Sequence, residues 1–177
     1  AMGGKALRGR GAIRLKQARP TRSVVAFDSL KRRGSELNLP RLRAHDVQFV
    51  HGDVRCAEDF DGLPPFDLLI DCAAEPSVQA GMRGSPLYVL NSNLTGTIHC
   101  LEAAKRHHAA VLFLSTSRVY PIAPLNALPF EETATRFRWT AAADVPGYSP
   151  QGIAESFPLD GARSFYGASK LSCELLL

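Results

Sequence analysis

An α/β fold with a parallel sheet is what this sequence predicts, and three observations carry the prediction. Four short runs are rich in apolar and β-branched residues, namely "SVVAFD" (23–28), "VQFVHGD" (47–53), "FDLLIDCAA" (66–74) and "AVLFLSTS" (110–117). They are separated by stretches long enough for helices, the order that parallel strands buried on both faces produce. A chain of 177 residues, 45% hydrophobic and 21% charged, has the length and balance of one soluble domain with its own core.

From the N-terminus, the head "AMGGKALRGRGAIRLKQARP" is basic but lacks the apolar centre of a signal peptide. Residues 1–43 hold twelve Lys/Arg against two Asp/Glu, and 44–177 hold nine against fifteen. Only Phe27 supplies an aromatic among those early charges and no nucleic-acid motif accompanies them. The head is therefore expected to be solvated and partly disordered, not a nucleic-acid arm. Between the third and fourth strands, Ser85 is a good N-cap and Pro86 suits the first helical position of "SPLYVLNSNLTGTIHCLEAAKRHH" (85–108). Leu87, Leu90, Leu94, Ile98, Leu101 and Ala104 recur there at helical spacing. Lys105, Arg106, His107 and His108 complement the negative end of the helix, so the His pair calls for no metal. Residues 121–160, rich in Pro and Gly, are expected to be irregular, and a last helix begins near Ala162. No apolar run approaches the roughly 20 residues of a membrane span. The cysteines at 56, 72, 100 and 173 are widely spaced, as small hydrophobes of a reducing compartment would be, and the cytoplasm is the expected location. No metal, membrane or nucleic-acid partner is expected.

Ligands of open parallel sheets bind at the carboxyl ends of the strands, and each strand end here carries a suggestive residue. Asp28 closes the first strand, either as a solvated turn residue or as acceptor for the ribose hydroxyls of an adenosine. Asp53, followed by Val54, closes the second as a turn residue or as acceptor for an adenine amino group. Ala73 and Ala74 come after the third and are small enough for close approach of a pyrophosphate. Thr116 and its serine neighbours place hydroxyls beyond the fourth. Near the C-terminus, Tyr166 and Lys170 stand four apart, one turn from each other on a helix. Alone, that spacing is common on any amphipathic surface.

The ordered set "VVAFD", "HGDVR", "DCAAEPSV", "NSNLTGTIHCLEAAK", "FLSTSRVY" and "YGASK" changes the reading. Over about residues 13–177 the chain resembles the extended short-chain dehydrogenase/reductase family, the NAD-dependent nucleotide-sugar epimerases and dehydratases. "FDSLKRRGSELNLPRL", "LSTSRVYP" and "IAESFPLDGARSFYGASK" look most like its CDP-paratose 2-epimerase (CDP-tyvelose epimerase) subgroup. The resemblance implies a Rossmann-type doubly wound parallel sheet, NAD as cofactor and a nucleotide sugar as substrate, and it allows a homo-oligomer in the full-length protein. It implies Thr116, Tyr166 and Lys170 as catalytic residues. Asp28, Asp53, Val54, Ala73, Ala74 and Lys170 would hold the cofactor, and Asn93 would support the site structurally. A free phenol, with a pKa of about 10, is a poor base at neutral pH. An ammonium one turn away favours the phenolate, which can take the proton of a sugar hydroxyl while hydride leaves the same carbon.

The sequence departs from the family at both ends. The family opens with a strand and a Gly-x-x-Gly-x-x-Gly turn, whereas Gly3, Gly4, Gly9 and Gly11 lack that spacing and have no apolar strand before them. The chain stops within the Tyr-x-x-x-Lys helix. The expectation is a fragment, inactive alone: an atypical basic head over 1–12 and a partial, incomplete NAD-binding domain over 13–177. Its sheet would lack the first, central strand of the order 3-2-1-4-5. The Asp-Glu pair that comes after the catalytic Thr in the 4,6-dehydratases is Ser117-Arg118 here, which disfavours dehydration and leaves UDP-sugar 4-epimerases as the alternative.

Overall fold

The computed structural model describes residues 4–140 and 144–177. The chain forms two compact units, one of Ala1–Pro76 with Asn91–Leu114, the other of Ser77–Leu90 with Ser115–Leu177. The four expected strands are present as β1 (Val25–Asp28), β2 (Gln48–His51), β3 (Leu68–Asp71) and β4 (Ala110–Phe113), all in the first unit.

They pair two by two. β1 runs parallel to β2 in a register that sets Val25 beside Gln48 and Asp28 beside His51. β3 runs parallel to β4, with Leu68 beside Ala110 and Asp71 beside Phe113. Among the described residues no strand pairing joins β1 to β3. The two pairs nevertheless point the same way. Arg22, before β1, bonds Asp67, before β3, and Arg32, after β1, reaches Glu75, after β3, at 2.8 Å. Exposed ion pairs are worth at most about 1 kcal/mol, so they do not hold the halves together. An apolar layer does: Phe60, Cys100 and Ala103 are buried together, and Phe27 of β1 and Leu69 of β3 both pack on them. The arrangement is therefore β2-β1-gap-β3-β4, as expected of a Rossmann-type sheet without its central strand.

The first unit also holds α1 (Gly4–Ala18) and α2 (Leu39–Arg43). Residues 4–12, expected to belong to a solvated head, are helical. α1 crosses the expected boundary at residue 12 without a break, and its Ile13 is buried with Val24, Leu42 and Val47 against the β1–β2 pair. Burial of one well-placed side chain outweighs the charge on the helix's outer face. Ala1, Met2 and Gly3 lie outside the described residues.

The long helix over 85–108 comes in three parts: α3 (Leu87–Leu90), a π-helical turn (Asn91–Thr95) and α4 (Gly96–Arg106). Ser85 caps it as expected, its Oγ accepting from the Leu87 amide at 3.2 Å. The expected apolar face holds in part: Ala104 is buried and Leu90, Leu94 and Leu101 are half-buried. Leu87 and Ile98 are exposed, while Val89, Asn93, Thr97 and Cys100, outside that face, are buried. A π turn adds a residue to the repeat and rotates the turns C-terminal to it, so a single 3.6 period misreads the phase. Small residues then set the depth of packing: a Cβ on Gly96 would lie 2.7 Å from the Val54 side chain.

In the second unit the stretch 121–160 is more regular than expected. It contains α5 (Ile122–Asn126) and two antiparallel hairpins, β5 (Phe130–Glu132) with β6 (Phe137–Trp139) and β7 (Tyr148–Ser149) with β8 (Gly152–Ile153). Ala141, Ala142 and Ala143 lie outside the described residues. Phe157, buried, stacks edge-on against Tyr120, whose hydroxyl donates to the Ala154 carbonyl at 3.2 Å. The last helix, α6, spans Phe165–Leu176. No helix among the described residues is long and apolar enough to cross a membrane.

Candidate functional site

The first unit gathers the residues expected to hold an adenosine diphosphate, each at the carboxyl end of a strand. Asp28 ends β1, and its Oδ1 accepts from the Leu30 amide at 2.8 Å, a short Asx turn with Leu30 at φ 52°. Asp53 lies two residues past β2. Its carboxylate is gripped by Arg55 at 2.9 Å from Nε and 2.5 Å from Nη2, and accepts the Arg55 amide at 3.0 Å. These hydrogen bonds from Arg55 hold the Asp53 carboxyl below the usual carboxylate range. Val54, next in line, gives its carbonyl to His99 Nδ1 at 2.8 Å.

Ala73 and Ala74 sit half-buried in the loop after β3, and this loop is fixed by side chains at both ends. Asp71 is buried, receiving the Thr97 hydroxyl at 2.7 Å and the Ala73 amide at 2.8 Å. Asn93, also buried, accepts the Glu75 amide at 2.7 Å and donates to the Glu75 carbonyl at 3.3 Å. The π turn and the first turn of α4 thus hold both ends of the alanine pair. This agrees with the structural part expected of Asn93. Sequence reasoning missed Asp71 and Thr97. The available signal was a lone carboxylate closing an otherwise apolar strand, which needs a buried partner.

The second unit gathers the residues expected to move protons. Ser164 caps α6, its Oγ accepting from the Gly167 amide at 3.1 Å. Tyr166 and Lys170 stand one turn apart, 9% and 2% exposed, so both face inward from the same side of the helix. Gly167, between them, decides where the helix lies. A Cβ there would be 2.1 Å from the Arg118 carbonyl oxygen, so α6 meets the 117–119 turn backbone against backbone. That turn is capped by Thr116, whose Oγ1 accepts from the Arg118 amide at 3.2 Å. The helix carrying Tyr166 and Lys170 and the turn carrying Thr116 are thereby packed together. Sequence reasoning did not single out Gly167, although a glycine in the first turn of a helix signals a close approach.

A profile of the NAD dependent epimerase/dehydratase family matches residues 2–177. The chain belongs to this family. The chain is similar to the dTDP-glucose 4,6-dehydratase of Mycolicibacterium smegmatis, 33% identical over 123 residues, which are 68% of this chain and 36% of that protein. A dTDP-glucose 4,6-dehydratase of Streptomyces venezuelae, solved with NAD bound, superimposes with a TM-score of 0.68 at 27% identity, over 98% of this chain and 48% of its own. The UDP-glucose 4-epimerase of Bifidobacterium longum, solved with NAD⁺ and UDP, shares the fold at a TM-score of 0.67 and 22% identity, over 98% of this chain and 45% of its own. The chain thus spans about a third of the curated family member and under half of the solved ones.

Proposed function

We propose that this chain is the cofactor-binding and proton-transferring part of an NAD-dependent nucleotide-sugar epimerase, acting on a CDP-activated sugar at C2. The observation that carries the reading is the seating of α6 on the Thr116 turn at Gly167, with Tyr166 and Lys170 buried one turn apart. The residues present fit NAD. A carboxylate stands at the end of β1 where ribose hydroxyls can donate, and the small Ala73 and Ala74 sit in a loop fixed at both ends. Asp28 would take the adenosine ribose, Asp53 and Val54 the adenine edge, Ala73 and Ala74 the pyrophosphate, and Lys170 the nicotinamide ribose. NAD, when bound, supplies the acceptor for the sugar's hydride and returns that hydride later.

This chain's own residues do the proton work. Thr116 donates to and orients the reacting sugar oxygen. Tyr166, as phenolate, takes the hydroxyl proton as the C–H bond at the same carbon breaks, and Lys170 stabilises that phenolate. The keto sugar then presents its other face, Tyr166 returns the proton, and no net oxidation results. Support for epimerisation over dehydration comes from the residues after Thr116. Ser117 and Arg118 stand there, and neither pairs an acid with a base for loss of water.

The test is made in the full-length protein. Tyr166→Phe is expected to abolish turnover of CDP-paratose while NAD binding is retained. Full epimerase activity in that variant would overturn the assignment. The second reading, a UDP-sugar 4-epimerase, rests on the fold shared with the Bifidobacterium longum enzyme. Turnover of UDP-glucose in place of CDP-paratose would favour it.

A further inference from the structure

Helix α6 meets the segment after β4 at two places. At Gly167 its backbone lies against the Arg118 carbonyl, where a Cβ would be 2.1 Å away. Two turns further on, about 10.5 Å along the helix axis, the Glu174 carboxylate accepts a hydrogen bond from the Ser115 hydroxyl. The proposed chemistry uses neither Ser115 nor Glu174. The two contacts run in opposite senses, Gly167 to Arg118 and Glu174 to Ser115, so the segment 115–118 lies along the helix with Thr116 between its anchors.

We propose that Glu174 is a positioning residue for the proton transfer: through Ser115 it fixes the angle at which Thr116 faces Tyr166 and Lys170. This rests on the reading of those three residues given above. One contact near the start of α6 leaves the 115–119 segment free to pivot about it, and a second contact two turns away removes that freedom. Thr116 has extended backbone, φ −157° and ψ 150°, and its Oγ1 already accepts from the Arg118 amide at 3.2 Å. Its hydroxyl proton is left to donate, and where that proton points follows the backbone of 115–118. An ionised acceptor makes the Ser115 bond stronger than a neutral one would. Both partners are exposed, so the bond competes with water and adds little to folding. Its effect is on orientation. Tyr166, Lys170 and Glu174 succeed one another at one-turn steps along α6. A rotation of the helix that Glu174 prevents is therefore one that would carry the phenol and the ammonium away from Thr116. A reacting group displaced by about 1 Å can cost about a hundredfold in rate.

The test compares Glu174→Ala, Ser115→Ala, the double variant and Glu174→Gln in the full-length protein. Each alanine variant is expected to lower kcat about tenfold while KM and NAD affinity stay within about twofold of the natural protein. The double variant falls no further than either single one, because the same bond is lost in all three. Glu174→Gln keeps an acceptor oxygen and restores most of kcat. Should Glu174→Ala fail to fold, Ser115→Ala, which deletes a single oxygen, carries the comparison. Natural kcat in either alanine variant, losses that multiply in the double variant, or a Glu174→Gln as slow as Glu174→Ala would each overturn the proposal. Hydrogen exchange gives a reading that needs no substrate. The 117–119 amides are expected to exchange about tenfold faster in Ser115→Ala, and unchanged exchange would also overturn it. Tyr166→Phe, measured alongside, separates the two inferences. Activity in Tyr166→Phe overturns the proposed function and this role with it. An inactive Tyr166→Phe beside a fully active Glu174→Ala overturns the positioning role alone.

Discussion

Gly167 sets how closely α6 approaches the 117–119 turn. Adding one methyl group drives a Cβ into the Arg118 carbonyl, backbone against backbone, with no flexible side chain to yield. Gly167→Ala is expected to destabilise the protein by about 1–3 kcal/mol. Urea unfolding monitored by circular dichroism checks this, and an unchanged midpoint would show that the helix shifts freely. Asp53 offers a second measurement, through pH. Its carboxyl is held below the ordinary range by hydrogen bonds from Arg55, so its stabilising part is complete above the unfolded value of about 3.9 and fades as pH falls through the lowered one. Thermal melts of the natural protein and Asp53→Asn should differ most above about pH 4 and converge below it. A difference that persists undiminished at lower pH would assign the effect to packing.

At the scale of elements, the exit of β1 decides between NAD and NADP. Asp28 would repel a 2′-phosphate, while Lys31, Arg32 and Arg33 lie close enough in sequence to attract one. The structure commits Arg32 to Glu75 at 2.8 Å, which takes one of these competitors out. Calorimetry on the full-length protein is expected to show tighter binding of NAD, and tighter NADP binding would refute this. The elements themselves were mostly legible in the sequence. All four strands, the Ser85 cap and the Tyr166–Lys170 helix fall where apolar runs and capping residues put them, because those signals are local. The inward face of the 85–108 helix was only partly legible, since Asn91–Thr95 adopts a π turn that no periodicity announces. The hairpins of 130–153 were hidden for a related reason. Strands of two or three residues, such as Tyr148–Ser149 and Gly152–Ile153, are held by pairing and by aromatic neighbours such as Trp139, not by any run of their own. The proposed catalytic trio and strand-end carboxylates were singled out in the sequence because the chemistry proposed for them requires particular residue types. Asp71, Thr97 and Gly167 act by positioning others, and their parts emerge only from the fold.

For the molecule as a whole, the gap between β1 and β3 dominates expectation. Two paired half-sheets share one apolar floor, and two inner edges remain without strand partners among the described residues. The 177-residue chain alone is therefore expected to be poorly soluble and to retain no NAD on purification. A sharp cooperative melt that NAD raises by several degrees would contradict that. Beyond stability, the partition of the chain has a bearing on how such enzymes change over time. Asp28, Asp53, Ala73 and Ala74 all belong to one unit, and Thr116, Tyr166 and Lys170 all belong to the other. On the proposed reading, recognition of the adenosine and handling of the proton are written in separate stretches of structure. A lineage can drift in one while the other is held under selection, and an engineer can graft a new nucleotide preference without rewriting the reaction.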